Sequence, residues 1–267
     1  MRAGLAAAVL LPAAMLAQGQ TAVTIKDLMA RLGAIRAATD FRASGRLVRV
    51  AASGERRSYQ LSLRARWLAG TVKIFCAVTE PAPARVRLLL ETSEAGPASI
   101  RKGHAGDRRP VAVPPENWGE AVLETGFTYE DLLENHFLWR NQAFAGETRY
   151  GARACYLVKS TPEADDQSHY ATVTSWLDRE SLYPVRVEKT LRSSGATKEF
   201  LYFGLRQSKG IWSASQIEVK TPGKPGSSLL IVTRGAEKAH VGPGEFDAAL
   251  LTKPFSNEPP SGEPHEF

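Results

Sequence analysis

The sequence has few of the motifs that mark common enzyme classes. Its five histidines include no pair at metal-ligand spacing, and no helix-like stretch carries two of them with an intervening glutamate. It also lacks a G-x-S-x-G nucleophile turn and a glycine-rich phosphate loop between a strand and a helix. We therefore predict no catalytic residues, no metal, no cofactor and no enzymatic activity. A lipid hydrolase with a site around His136 and His169 is the weakest alternative, because catalytic triads assemble in space rather than in sequence.

Cysteine is scarce: Cys76 and Cys155 are the two in the chain. Neither has the spacing of a metal site or of a redox pair. In an oxidising compartment they would form one disulfide. Each also stands in an apolar, strand-like run, so two separate buried thiols are an equal alternative.

The N-terminal apolar run, residues 5–16, is shorter than the ~20 residues that span a bilayer. It follows Arg2 and precedes Ala17, Gln18 and Gly19, a small-x-small pattern that signal peptidase cleaves. No cysteine stands there for lipid attachment. We predict a signal peptide at residues 1–19 and export to the periplasm; the alternative is a buried N-terminal helix.

The formal net charge is +6, and the basic excess is concentrated between residues 42 and 109. A basic face attracts anionic lipid head groups by ~1 kcal/mol per Lys or Arg near the surface. A solvated outer sheet face is an equally good interpretation. We expect no nucleic-acid partner, because the chain lacks the aromatic-basic motifs of RNA-binding sheets.

Hydrophobic periodicity predicts one helix followed by many strands. Apolar residues recur at helical spacing over residues 24–35, and the period changes to two from residue 41. A second helix is predicted over residues 128–138, with Thr128 as its cap. Residues 253–267 are rich in proline and polar residues and are predicted to be disordered. Strands are predicted at residues 41–50, 58–68, 72–78, 85–92, 155–159, 170–177, 185–191, 198–205, 212–220 and 228–234.

Several segments, in order along the chain, resemble those of the LolA-like group, the outer-membrane lipoprotein-sorting proteins. Residues 127–132, Phe-Thr-Tyr-Glu-Asp-Leu, resemble one element of that group. Residues 170–178 and 183–188 resemble its aromatic strand and its proline-led return strand. The same order continues at residues 195–199 and 211–217, and it starts with the first helix leading into residues 40–45. The resemblance covers nearly all of a domain placed at residues 20–252.

The resemblance implies an α+β, mainly β fold: a large antiparallel sheet curled into an unclosed barrel, with helices as a lid over an apolar cavity. It implies a periplasmic carrier, or chaperone, that binds acyl chains of lipoproteins or other lipids for transfer towards the outer membrane. Inner- or outer-membrane proteins would be transient partners. The alternative is a sensor or interaction module of the same fold that binds a lipoprotein or a membrane-protein segment.

An exposed acyl methylene costs ~0.8 kcal/mol, so one long chain needs roughly 10 kcal/mol of shelter. The residues that would provide this shelter lie on the dry face of the predicted sheet and on the second helix. The same residues suit a solid core equally well, and periodicity does not distinguish the two. The candidates are Leu61, Leu63, Trp67, Leu88, Leu90 and Val173 in the wall, with Leu132 and Phe137 in the lid.

Overall fold

A computed structural model of the chain describes residues 23–37, 40–68, 71–93, 96–208, 211–237, 240–255 and 265–266. The predicted signal peptide, residues 1–19, lies outside the described residues. Within those ranges no helix has both the length and the apolar character that crossing a membrane requires.

The described chain contains two α-helices and a long series of strands. The helices are α1 (Ile25–Ala37) and α2 (Tyr129–Leu133). The strands are β1 (Phe41–Val50), β2 (Arg56–Leu68), β3 (Thr71–Glu80), β4 (Val86–Ser93), β5 (Gly96–Gly103), β6 (Val111–Ala112), β7 (Asn141–Tyr150), β8 (Arg153–Thr161), β9 (Tyr170–Asp178), β10 (Pro184–Leu191), β11 (Thr197–Phe203), β12 (Arg206–Ser208), β13 (Ile211–Ser213), β14 (Gln216–Lys220), β15 (Ser227–Glu237) and β16 (His265–Glu266).

Nearly all strands form one antiparallel sheet in the order β6-β5-β4-β3-β2-β1-β15-β14-β11-β10-β9-β8-β7. The short β16 pairs with β15, and β12 and β13 form a separate two-stranded ribbon. The path ends at β6 on one side and at β7 on the other, and in the described part of the chain these two strands do not pair. The sheet is therefore not closed.

Most apolar residues of the strands face one side of the sheet, and the sheet bends around them. In β2, Leu61 and Leu63 face this side, and Leu63 lies opposite Cys76 of β3. Side chains from opposite ends of the strand order, including Leu90 of β4 and Val173 of β9, belong to the same core cluster. Strands so distant in the order share a core only if the sheet bends around it, so this side is the concave face.

Helix α1 covers the part of the concave face formed by β7, β8 and β9. Thr24 caps it, because the Thr24 hydroxyl accepts a hydrogen bond of 3.1 Å from the Asp27 backbone N–H. Leu28 and Leu32 pack against a cluster that includes Leu177 of β9. Leu177 points to the same side of β9 as Val173, because residues four apart on a strand share a face.

The convex face of β3 and β4 is covered by residues 240–255, here called the outer segment. Phe246 and Leu251 of this segment pack against Phe75 and Leu89 of the sheet. The same two strands are therefore buried on both sides, which explains the three consecutive leucines of β4, Leu88, Leu89 and Leu90.

Arginines of the basic region bind the outer segment. The guanidinium of Arg64 donates hydrogen bonds of 2.9 and 2.7 Å to the Glu245 carbonyl, and Arg87 donates one of 3.0 Å to the Pro254 carbonyl. The Arg87 guanidinium also lies 3.7 Å from the centre of the Phe255 ring. These arginines fasten a segment of the protein itself. Residues 253–255 of the predicted tail are described, and Phe255 packs on the convex face.

The second predicted helix is shorter than expected. It ends at Leu133 because Glu134 adopts a left-handed conformation with φ 45°, and a 3-10 turn follows at Asn135–Leu138. Strand β7 was not predicted. It lies at the edge of the sheet with most residues exposed, so its sequence lacks the apolar alternation by which a strand is recognised.

Candidate functional site

Residues 113–139, here called the cover segment, lie over the concave face between β6 and β7. The segment buries four large apolar side chains there: Trp118, Phe127, Leu133 and Trp139. The Trp118 indole N–H donates a hydrogen bond of 2.9 Å to the Val113 carbonyl, which satisfies its polar group inside the core. In the described residues, side chains of this segment thus pack against the concave side.

The backbone of the cover segment contains three non-glycine residues in the left-handed region. Leu123, Glu124 and Glu134 have φ values of 53°, 58° and 45°. Such conformations cost free energy for residues with a Cβ and persist only where the surroundings enforce them. Packing against the sheet, rather than local backbone preference, therefore holds the segment in this shape.

The structure brings most of the predicted wall and lid residues together. Leu61, Leu88, Leu90 and Val173 are buried in the concave cluster, and Leu63 and Leu132 are partly buried against it. Phe137 lies in the neighbouring cluster under α1. Trp67 is half-buried near the end of β2 and belongs to neither of these clusters as described. Their role in ligand binding stays a prediction.

A buried ion cluster, which the sequence analysis did not predict, joins the cover segment to the sheet. Its centre is Asp131 of α2, whose carboxylate accepts a hydrogen bond of 2.9 Å from Lys189 Nζ and one from Lys198 Nζ. The Tyr170 hydroxyl donates a further hydrogen bond of 2.7 Å to Asp131 Oδ1. All four side chains are buried. Lys189 and Lys198 lie opposite each other on β10 and β11.

The cluster depends on its single carboxylate. Like charges directly opposite each other in a sheet repel, and buried charges require a partner. Burial alone would raise the pKa of Asp131, but Lys189 and Lys198 lower it well below its ordinary value, so the carboxylate is ionised. Burial lowers the pKa of Lys198 in spite of the opposing effect of Asp131. Burial and the charge of Asp131 raise the pKa of Tyr170, so the phenol stays protonated and donates.

Glu130 forms a second attachment of the cover segment beside the first. Its carboxylate accepts hydrogen bonds from the Ser168 hydroxyl and, at 3.0 Å, from the His169 backbone N–H. The His169 ring nitrogens lie 3.3 Å from Glu130 Oε2 and 3.2 Å from the Glu116 carbonyl oxygen. The hydrogen bond to Glu130 raises the pKa of His169, because both contacts are satisfied when both ring nitrogens carry protons.

An opening of about 470 Å³ lies at the rim of the concave face. Tyr59, one of its lining residues, also packs against the concave cluster, so the opening reaches the border of the core. The other lining residues are Arg57, Ser58, Pro81, Pro83 and Ala84.

No group of three or more histidine, cysteine or acidic side chains in the described ranges is arranged to hold a metal ion. Cys76 and Cys155 are both free and buried, so the structure has the two separate thiols rather than the disulfide.

The comparison with known families adds a second line of argument. A family model described as an uncharacterized protein matches residues 107–248, which is more than half of the 267-residue chain. The chain belongs to this family. The matched residues contain the whole cover segment and all four members of the ion cluster. No curated protein matches the chain.

Solved structures show that this family member has the LolA-like fold. A domain of Vibrio parahaemolyticus, named for outer-membrane lipoprotein sorting, has a TM-score of 0.75 at 17% identity over 84% of this chain and 96% of its own. A DUF1329 family protein of Desulfovibrio piger has a TM-score of 0.76 at 13% identity over 85% and 97%. A LolA superfamily protein of Nitrosomonas europaea has a TM-score of 0.65 at 16% identity over 87% and 99%. The predicted fold class is confirmed for the mainly β composition, the two helices and the large antiparallel sheet that does not close. The apolar cavity stays a prediction.

Proposed function

We propose that this protein is a periplasmic carrier that binds the acyl chain of a lipoprotein, or of another lipid, against the concave face. One observation supports the proposal: the concave face is apolar, and the cover segment that lies on it contributes no strand to the large sheet. The cover segment would lift when a chain binds and return when it leaves. The signal-peptide pattern at residues 1–19 supports export, and the proposal involves no catalytic step.

The magnitudes are compatible with an exchange of cover for ligand. Burying a large apolar side chain contributes about 1.5–3 kcal/mol, so the four side chains of the cover segment contribute roughly 6–12 kcal/mol together. An acyl chain of about 14 carbons contributes roughly 11 kcal/mol, at ~0.8 kcal/mol per methylene. Because the two quantities are similar, a single chain can replace the cover without a large net change in free energy.

The proposal is tested by purifying the protein from its native host, extracting lipid and identifying it by mass spectrometry, alongside binding of a fluorescent fatty-acyl probe. Leu88 and Leu89 provide matched variants, because they are adjacent, are both buried, and face the concave and the convex side respectively. We expect Leu88→Phe to reduce probe binding and Leu89→Phe to leave it unchanged. A protein that carries no lipid and takes up no probe would rule out the carrier function.

A second candidate function, an interaction module, is favoured by β7. This ten-residue strand pairs with β8 on one side and has no strand on its other side among the described residues. An open strand edge can add a strand from a partner protein. Replacing Ala143 with proline would block such pairing, and loss of a cross-linked envelope-protein partner in that variant, with probe binding intact, would support this function instead.

A further inference from the structure

We propose that Lys189, Lys198 and Tyr170 form a binding site for the anionic group of an amphiphilic ligand, and that Asp131 occupies this site when the cover segment is closed. The ligand class is a long-chain amphiphile that ends in a carboxylate or a phosphate. The inference rests on the proposed carrier function and specifies which ligands the concave face selects.

The geometry of the cluster is that of a site for one oxyanion. The Asp131 carboxylate accepts hydrogen bonds from the backbone N–H and the hydroxyl of Thr128, within the cover segment. Three further donors, from the neighbouring strands β9, β10 and β11, point to the same carboxylate. None of these three donors belongs to the cover segment. The acceptor, Asp131, does belong to it. If the segment lifts, the donors stay in the sheet and the acceptor leaves.

The charges then require a replacement for Asp131. Once a hydrocarbon chain takes the place of the cover segment, the two lysines would face each other away from water with no carboxylate between them, and unpaired buried charges are strongly unfavourable. The Phe200 ring, 4.6 Å from Lys189 Nζ, stabilises a cation but does not neutralise it. An incoming carboxylate or phosphate restores the balance. Opening is therefore coupled to the arrival of an anion.

The position of the cluster specifies an amphiphile rather than a free anion. Val187 and Phe200 stand two residues from Lys189 and Lys198 on the same sides of their strands, and both belong to the concave apolar cluster. An anionic group held by the lysines would thus continue directly into the apolar wall. The hydrocarbon chain of the same molecule would lie along that wall.

The test compares ligands that share a chain and differ in their terminal group. Displacement of a fluorescent acyl probe from the full-length mature protein is measured with palmitate, hexadecyl phosphate and the uncharged hexadecanol, at about pH 8, where the acids are ionised. We expect palmitate and hexadecyl phosphate to bind at least about tenfold more tightly than hexadecanol, as hydrogen bonds to charged groups imply.

A triple variant identifies the residues responsible. Asp131→Asn, Lys189→Met and Lys198→Met together remove the charges without leaving an unpaired one, and such replacements keep proteins folded. We expect the variant to bind hexadecanol like the wild type and to lose the preference for the two anions. Replacing the exposed Lys220 with Met is the control and should change neither affinity.

Each other outcome overturns the inference in a recognisable way. If the wild type bound palmitate and hexadecanol with equal affinity, the proposed anion site would be wrong, but the proposed carrier function would not be contradicted. No binding of any long-chain ligand would overturn both. If inorganic phosphate displaced the probe as effectively as hexadecyl phosphate, the site would bind free anions, and the inference that its ligand is an amphiphile would be wrong. A preference that survives in the triple variant would place the anion elsewhere.

Discussion

Strands β3 and β4 are covered on both faces, and the two covers are fastened by different chemistry. On the concave side, the cover segment is attached through Asp131, whose lysine partners are 5% and 2% exposed. On the convex side, the outer segment is attached through arginines such as Arg42 and Arg64, which are 26% and 22% exposed and bind Glu245 at 33% exposure. The ion pairs that attach the cover segment are shielded from water, and those that attach the outer segment are partly exposed to it.

The difference determines what can release each cover. Water can replace the hydrogen bonds of partly exposed arginines, so the outer segment is held mainly by the packing of Phe246 and Leu251 on the sheet. The buried lysines cannot be satisfied by water while they stay buried. In the proposed opening, release of the cover segment therefore depends on another charged group, whereas release of the outer segment does not.

The largest expected effect comes from Asp131→Ala, which leaves two buried lysines without a carboxylate. We expect the free energy of unfolding to fall by about 3–5 kcal/mol, measured by urea denaturation. Glu147→Ala is the control, because Glu147 pairs with Arg179 at the surface and should cost less than about 1 kcal/mol. Equal decreases in the free energy of unfolding would show that the buried cluster stabilises the protein no more than a surface ion pair does.

Leu133→Ala and Leu251→Ala compare the two covers directly. Leu133 is 2% exposed in the cover segment and Leu251 is 0% exposed in the outer segment, so each substitution should destabilise the protein by about 2–5 kcal/mol. Only Leu133→Ala should also tighten binding of an acyl probe, because it weakens the segment that competes with the ligand. Identical probe affinities in the two variants would contradict the assignment of the cover segment as the movable one.

The pH dependence of the free energy of unfolding should also differ between the attachments of the two covers. The raised pKa of His169 means that its contribution to stability is present below its ordinary value of 6.5 and is lost as pH rises through the raised pKa. Burial opposes the shift at Glu245, but the hydrogen bond from Arg42 lowers its pKa. Its contribution is therefore present above 4.5 and is lost as pH falls through the lowered pKa.

As pH rises through the basic range, we expect the free energy of unfolding to fall less in His169→Gln than in the wild type. As pH falls through the acidic range, we expect it to fall less in Glu245→Gln than in the wild type. Because both groups are partly exposed, each effect should be at most about 1 kcal/mol. Thermal denaturation across the pH range measures both, and a His169→Gln profile that changes only on the acidic side would contradict the attachment through Glu130.

The smallest effect is expected at the rim of the cover segment. Glu124 contacts Arg57 at 3.1 Å, but their side chains are 64% and 59% exposed. Glu124→Gln should therefore change the free energy of unfolding by less than about 0.5 kcal/mol, and high salt should remove the difference. A salt-insensitive loss of several kcal/mol would mean that the rim, and not the buried cluster, fastens the segment.

Local alternation was enough to predict most strands, because half-buried strands such as β2 show it in their own residues. The curled sheet was an implication of the resemblance to the LolA-like group. Alternation did not reveal the ion cluster. Asp131 stands in the first turn of α2, where acidic residues are common, and its partners lie 58 and 67 residues further along the chain. One signal was present: Lys189 occupies the inward position between Val187 and Leu191, where alternation calls for an apolar residue. Pairing across strands, which no local pattern encodes, decides what such a lysine contacts.

In the part of the chain that the structure describes, β6 and β7 do not pair, and under the proposed carrier function this bears on ligand size. In a closed ring of strands, the number of strands and their stagger set the internal width. Here the two borders are independent, so small changes of twist between neighbours can move them apart while every ladder hydrogen bond is kept. If the protein is the carrier that we propose, the concave face can thus widen for larger ligands, and binding of lipids with two or three hydrocarbon tails would test this.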